Sequence, residues 1–383
     1  MTIYLDAAAT TPVRREALEA AWPYLTGEFG NPSSHHRFGE RAASALADAR
    51  ARVAAVLGCR KTEVTFTSGG TESANLAIKG LALANPRGKH VLTTPVEHEA
   101  VLESVDYLAR LHGYETGMVA VDGVGQVSPH SLASALRPDS TLVSIGYANN
   151  EVGTVQDIPG MAAAAQAQGA LVHTDAVQAA GWLPLTVTDL GVDALSISGH
   201  KVGAPKGIGA VFIRGRLAVE PVIHGGGQER ERRSGTENVA GAIALATALE
   251  LAESERAERV ATMTTLRDDF IAAVLRQAPT AILTGSTSDR LAAHASFCFP
   301  GTAGEAVLLE LEGHGITCSS GSACAAGSDE PSHVLVALGI EAEVAQTSVR
   351  FTFGRDVTAE QLDTAAQAVG AAVATVMGLG TSG

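Results

Sequence analysis

Between residue 39 and about residue 300 the chain repeats one pattern: a short apolar run followed by a longer Ala/Leu-rich stretch of helical period. The runs include Val64 to Phe66, His90 to Thr93, Leu142 to Ile145, Leu171 to Thr174, Ala194 to Ile197 and Ala210 to Ile213. Apolar runs of this length, separated by helices, predict an α/β fold of parallel strands covered by crossover helices. In an open sheet of that kind, ligands gather where strands end and helices begin. A chain of 383 residues exceeds what one core usually serves, so a second domain is expected. The charged helical stretch from about Leu249 to Leu275 reads as a long connector into it. Beyond lie predicted strands at Ala295 to Phe299 and Val349 to Phe353, helices near Gly304 to Glu312 and Thr358 to Met377, and a frayed tail from Gly378 to Gly383.

Charge narrows the choice of partner. The formal net charge is -14, from 41 acidic against 27 basic residues, and only five of the latter are lysines, so direct nucleic-acid binding is not expected. The start has no basic region followed by an apolar run, and the alanine-rich stretches are broken by charges well before 18 residues. A soluble, cytoplasmic protein with no membrane partner is the expectation. Four scattered cysteines fit neither a disulfide scaffold nor a zinc site, and no metal is expected.

The strand ends carry the chemistry. Thr67-Ser68-Gly69-Gly70-Thr71-Glu72 follows one strand and opens a helix, where backbone N–H groups and the Thr71 hydroxyl can close on an anion. It lacks both the GxGxxG pattern and the lysine of a nucleotide-binding loop; by itself it also reads as a capped turn. His98, after Pro95-Val96-Glu97, can face the same sheet edge, to stack on a flat ring or shuttle protons. Asn149-Asn150-Glu151 offers an amide to a ring oxygen. Asp175 ends an apolar strand, suited to a protonated ring nitrogen, because a partly buried charge requires a charged or strongly donating partner. Lys201, at the end of Ser196-Ile197-Ser198-Gly199-His200, is a candidate Schiff-base lysine for pyridoxal phosphate. Lys206 competes but sits in a Pro-Lys-Gly turn. The five elements occur in chain order at successive strand ends, as one bound pyridoxal phosphate requires.

The segment from Cys318 through Ser328 is built almost wholly of small residues. Such a loop can carry a nucleophile to a cofactor and away again, and a thiolate can attack a sulfur atom and keep it. Cys324 is the expected carrier, with Cys318 more constrained behind Gly315-Ile316-Thr317. Arg350, in Ser348-Val349-Arg350-Phe351, suits a substrate carboxylate, and Asn31 of Gly30-Asn31-Pro32 can bring an amide to the same group.

Together with Leu5 to Pro12, Arg233-Ser234-Gly235-Thr236 and Ser319 to Cys324, these motifs resemble the cysteine desulfurases of the class V aminotransferase family. These are fold-type I pyridoxal-phosphate enzymes that supply sulfur for iron-sulfur clusters and thiolated tRNA. The resemblance implies a large domain over 15–255 with a mainly parallel seven-stranded sheet. It also implies a smaller α+β domain from 1–14 and 256–383. L-cysteine would become alanine, with the sulfur held as a persulfide on Cys324. Lys201 would be the cofactor lysine, Asp175 the ring-nitrogen partner, Asn150 and Gln178 the ring-oxygen donors, and His98 the stacked acid/base. Gly70, Thr71, Ser198 and His200 would hold the phosphate, joined by Thr236 from the neighbouring subunit of a homodimer. An iron-sulfur scaffold or another sulfur-acceptor protein would be the partner. A selenocysteine lyase or other β-lyase remains the alternative, since it would use the same cofactor and carboxylate anchor.

Overall fold

The computed structural model describes residues 2–321 and 330–380. In chain order the strands are β1 (Ile3–Tyr4), β2 (Val64–Thr67), β3 (His90–Thr93), β4 (Glu115–Met118), β5 (Ser140–Gly146), β6 (Leu171–Asp175), β7 (Ala194–Ser198), β8 (Gly209–Ile213), β9 (Ile282–Leu283), β10 (His294–Cys298), β11 (Ile316–Thr317) and β12 (Ser348–Thr352). Among the described residues they form a seven-stranded sheet of order β2-β8-β7-β6-β5-β3-β4, a three-stranded sheet β12-β10-β9 and a pair β1-β11.

In the large sheet β8 alone runs against its neighbours β2 and β7. The pairs among β7, β6, β5, β3 and β4 are parallel. The carboxyl ends of β2, β3, β5, β6 and β7 therefore open on one edge. Helices cover both faces. On one side Gly70–Ala84 and Glu99–His112 bury Leu76, Ile78, Leu81, Val101 and Leu108. On the other, Arg37–Leu57 and Val239–Ser254 bury Leu46, Val53, Leu245 and Leu249.

A separate core lies behind the three-stranded sheet. Phe270, from helix Arg256–Gln277, meets Phe297, Phe351 and Phe353 edge to face at centroid distances of 6.4, 5.3 and 5.4 Å. Strand alternation gives the opposite face a different character. His294, Ser296, Arg350 and Thr352 share that face and are buried. A polar face buried in a sheet needs partners, and it finds several in the Asn149 to Gly153 turn and at Asp6.

The expected connector is two helices, not one. Val239–Ser254 is apolar on nearly every side and belongs to the large core, whereas Arg256–Gln277 belongs with the phenylalanines. They meet at Glu255, whose carboxylate takes both Arg14 Nη1 at 2.8 Å and Nη2 at 2.7 Å. Helical period runs through that joint unchanged, so the sequence pattern does not mark it. The two-residue strands β1, β9 and β11 were likewise invisible, being too short to carry a period.

Candidate active site

The five strand ends converge on one cavity of about 230 Å³, lined by Gly70, Thr71, His98, Asn150, Asp175, Gln178, Ser198, His200 and Lys201 among others. Glycine at position 70 is a matter of contact. A Cβ there would stand 2.7 Å from Val177 Cγ2 and 3.3 Å from Ser198 Cβ, so only glycine brings this helix start against the ends of β6 and β7. The helix that begins there is 15 residues long, and its first N–H groups are available to an anion. Glu72 pairs with Arg233 at 2.8 Å, tying this turn to the segment that carries Thr236.

Asp175 is half-buried, with one carboxylate oxygen accepting the Val177 N–H at 2.9 Å. Burial pushes its pKa upward, and nearby His98 and Lys201 oppose the shift. A partly buried carboxylate facing a cavity calls for a cationic or strongly donating ligand atom. His98 caps its helix, Nδ1 accepting from the Ala100 N–H at 3.0 Å. In the neutral ring that leaves the proton on Nε2. Burial lowers His200 to about 4, with Lys201 and Lys206 adding to the effect, so the imidazole is neutral; its Nδ1 lies 3.2 Å from Thr10 Oγ1.

Lys201 reaches back to the N-terminal segment: its Nζ donates to the carbonyl of Ala8 and, at 2.8 Å, to that of Ala9. Gln178 Nε2 also donates to the Ala8 carbonyl, at 3.1 Å. The two asparagines of the Asn-Asn-Glu motif separate into different tasks. Asn149 is spent on the turn, donating to the Val96 carbonyl at 2.7 Å and accepting from the N–H groups of Glu151 and Val152. Asn150 makes no such side-chain bonds among the described residues and lines the cavity.

Arg350 is 2% exposed. Nη2 pairs with Asp6 Oδ1 at 2.8 Å, Nη1 donates to the Asn150 carbonyl at 3.1 Å, and Nε has no partner among the described residues. Thr236 and Asn31 are exposed and line none of this cavity; Asn31 Oδ1 closes a turn by accepting the Ser33 N–H at 2.9 Å. Cys324 lies outside the described residues. Cys318 lies inside them, and burial pushes its thiol up to about 12, aided by Asp6.

Sequence reasoning passed over Glu97. It is buried with one oxygen on the Gly146 N–H at 2.8 Å and the other on Thr94 Oγ1 at 2.7 Å. Burial, reinforced by the charge of Asp175, pushes it up to about 8 against those two hydrogen bonds. Its place beside His98 in the sequence was the available signal.

A helix-start anion site, a partly buried carboxylate, flanking amides and a lysine fit pyridoxal phosphate in donor type and order. They define an enzyme of the pyridoxal-phosphate class on an α/β sheet. The aminotransferase class-V family model matches residues 3–364. A relative named cysteine desulfurase IscS, from Dictyoglomus turgidum, is 47% identical over 362 residues, covering 94% of this chain and 92% of its own. A solved NifS-like protein superposes with a TM-score of 0.91 at 35% identity, covering 98% of this chain and 100% of that one. A structure of SspA in complex with cysteine superposes with a TM-score of 0.81 at 34% identity, covering 92% and 99%. The chain belongs to the class-V aminotransferase family.

Proposed function

We propose that this protein is a cysteine desulfurase, converting L-cysteine to alanine and holding the sulfur as a persulfide on Cys324. The observation that carries the reading is the convergence of Gly70, Thr71, Asp175, Ser198, His200 and Lys201 on a single cavity. The names of the relatives favour cysteine over selenocysteine.

Gly70, Thr71, Ser198 and His200 would hold the phosphate of pyridoxal phosphate, Asp175 its ring nitrogen, Asn150 and Gln178 its ring oxygen, and Lys201 its aldehyde carbon. When bound, this cofactor withdraws electrons from the substrate's α carbon. Arg350 orients the substrate carboxylate, with Asn31 adding an amide, and His98 moves protons through Nε2. The Cys324 thiolate attacks the substrate sulfur. An S–S bond forms, the C–S bond breaks with its electron pair left on carbon, and that carbon is protonated to give alanine.

The same reading makes the protein a homodimer divided into domains over 15–255 and over 1–14 with 256–383, Thr236 serving the neighbour's phosphate site. Large apolar side chains stand exposed along one helix and its exit: Leu18, Trp22, Leu25 and Phe29. The helical spacing of Leu18, Trp22 and Leu25 puts these three on one stripe, which supports burial against a second copy. A sulfur-accepting protein such as an iron-sulfur scaffold is the proposed downstream partner and the cytoplasm the proposed compartment. No helix among the described residues is long and apolar enough to cross a membrane.

Replacing each thiol tests the chemistry. Cys324→Ser should retain cofactor yet release no alanine from cysteine. Cys318→Ser should remain substantially active, because a thiol pushed up to about 12 is a poor nucleophile. Mass spectrometry without reductant should find one added sulfur atom on the Cys324 peptide of the wild-type enzyme. Its consistent appearance at Cys318, or absence of alanine from the reconstituted wild type, would overturn the assignment.

A further inference from the structure

His294 sits on β10, two residues from the strand position that faces Arg350, and is 1% exposed. Its Nε2 lies 3.1 Å from the carbonyl oxygen of Asn150. Arg350 Nη1 lies at the same distance from the same oxygen. A carbonyl only accepts, so the proton is on Nε2 and the lone pair on Nδ1, which has no partner among the described residues. Burial beside Arg290 and Arg350 holds the imidazole well below its usual range, which keeps the ring neutral.

The turn that carries Asn150 closes directly on this ring. Gly153 has φ +76°, and a Cβ at that position would stand 2.7 Å from His294 Cγ, so both its backbone conformation and its contact call for glycine. Neighbours on the same stretch hold the rest of the turn. Arg290 Nη1 donates to the Val152 carbonyl at 3.0 Å, and the Leu291 N–H donates to the Gly153 carbonyl at 2.9 Å. Those two bonds secure the turn without His294. What the histidine adds is a second donor on the nearer of the two carbonyls that Arg350 Nη1 reaches, the other being that of Gly321 at 3.5 Å.

Asn150 therefore has two ends with different duties. It lines the cofactor cavity, and its peptide oxygen holds the guanidinium. We infer that His294 is a positioning residue for substrate binding, fixing the Asn150 peptide so that Arg350 is presented to the substrate's carboxylate. The inference rests on the function proposed above, in which Arg350 is the carboxylate anchor. His294 touches neither cofactor nor reacting atoms in this role. Its loss should appear in substrate affinity more than in turnover.

The test compares His294→Met, of similar bulk without a donor, with His294→Gln, which restores an N–H. The readout is alanine formed from L-cysteine by enzyme reconstituted with pyridoxal phosphate. His294→Met should raise KM for cysteine by about fivefold to tenfold, the scale of one lost hydrogen bond, with kcat changed by less than about twofold. His294→Gln should recover most of the affinity. Should the methionine variant fail to fold, His294→Asn, polar but one bond too short, carries the same expectation. A wild-type KM in the donorless variant, or equal losses in Met and Gln variants confined to kcat, would overturn the inference. A wild-type enzyme that forms no alanine would instead remove the functional reading, and this inference with it.

Discussion

Glu97 lines the cofactor cavity with both carboxyl oxygens held, by Thr94 and by the Gly146 N–H. Its folded pKa of about 8 lies above the ordinary 4.5, so between those values the folded chain holds a proton that the unfolded chain has released. Stability must fall as pH rises through that window, by at most about 1.4 kcal/mol per pH unit. The buried histidines act in the opposite sense, but only below 6.5, as His173 does with a folded value of about 3. Cys59, Cys298 and Cys318, each pushed up to about 12, act above 9. The interval from pH 6.5 to about 8 therefore leaves the two neighbouring carboxyls, Glu97 and Asp175, whose pKa burial also raises. Urea midpoints should decline across it in the wild type and less steeply in Glu97→Gln; parallel declines would show that Glu97 does not contribute. Lys201, Asp175 and His98 were legible because each follows an apolar run whose period can be read. The residues that complete their surroundings were not. Ala8 and Ala9 act through backbone carbonyls, which leave no trace in residue type, and His294 meets Asn150 across 144 positions.

At the scale of elements, the segment carrying Thr236 is held under tension. Glu229, Arg230 and Glu231 have φ of 50, 60 and 66°, three successive residues without glycine in the left-handed region. Each costs roughly 1–2 kcal/mol. The opposing interaction is a buried ion pair: Arg50 Nη1 and Nη2 donate to Glu229 at 2.5 and 2.7 Å, and the Phe66 N–H adds a third bond at 3.1 Å. Removing one partner strands a buried charge, so Glu229→Ala should destabilise by about 3–5 kcal/mol. Coupling is checked by a double-mutant cycle with Arg50→Met. A double mutant no worse than Glu229→Ala is expected, and strict additivity would show that the pair is not what holds the turn. The elements themselves were largely readable, since β2, β3, β5, β6, β7 and β8 all fall on apolar runs. Their arrangement was less so. The reversed direction of β8 and the joint at Glu255 depend on tertiary contacts that no local period encodes.

For the whole molecule, the apolar stripe on the first helix decides whether one chain suffices. Trp22 is 61% exposed and Leu25 60%, an arrangement that a lone soluble subunit rarely keeps. Trp22→Glu combined with Leu25→Glu should yield monomers in sedimentation experiments and weaken pyridoxal-phosphate retention, because Thr236 of one subunit could no longer serve the other. A monomeric wild type, or a charged variant that remains dimeric, would place the subunit contact elsewhere.

The pairing of Ile3–Tyr4 with Ile316–Thr317 has a consequence for the history of each newly made chain. Asp6 finds Arg350 only 344 positions later. The strands of the large sheet emerge in between and need neither of them. Contacts of such separation close late, since the intervening chain must first give up its freedom. Ala8 and Ala9, which receive the Lys201 amine, travel with that early segment. The lysine, just past the end of β7, should thus be in place before its surroundings exist. During refolding, helical circular dichroism should return ahead of the ability to capture pyridoxal phosphate, so that competence arrives as the last event of maturation.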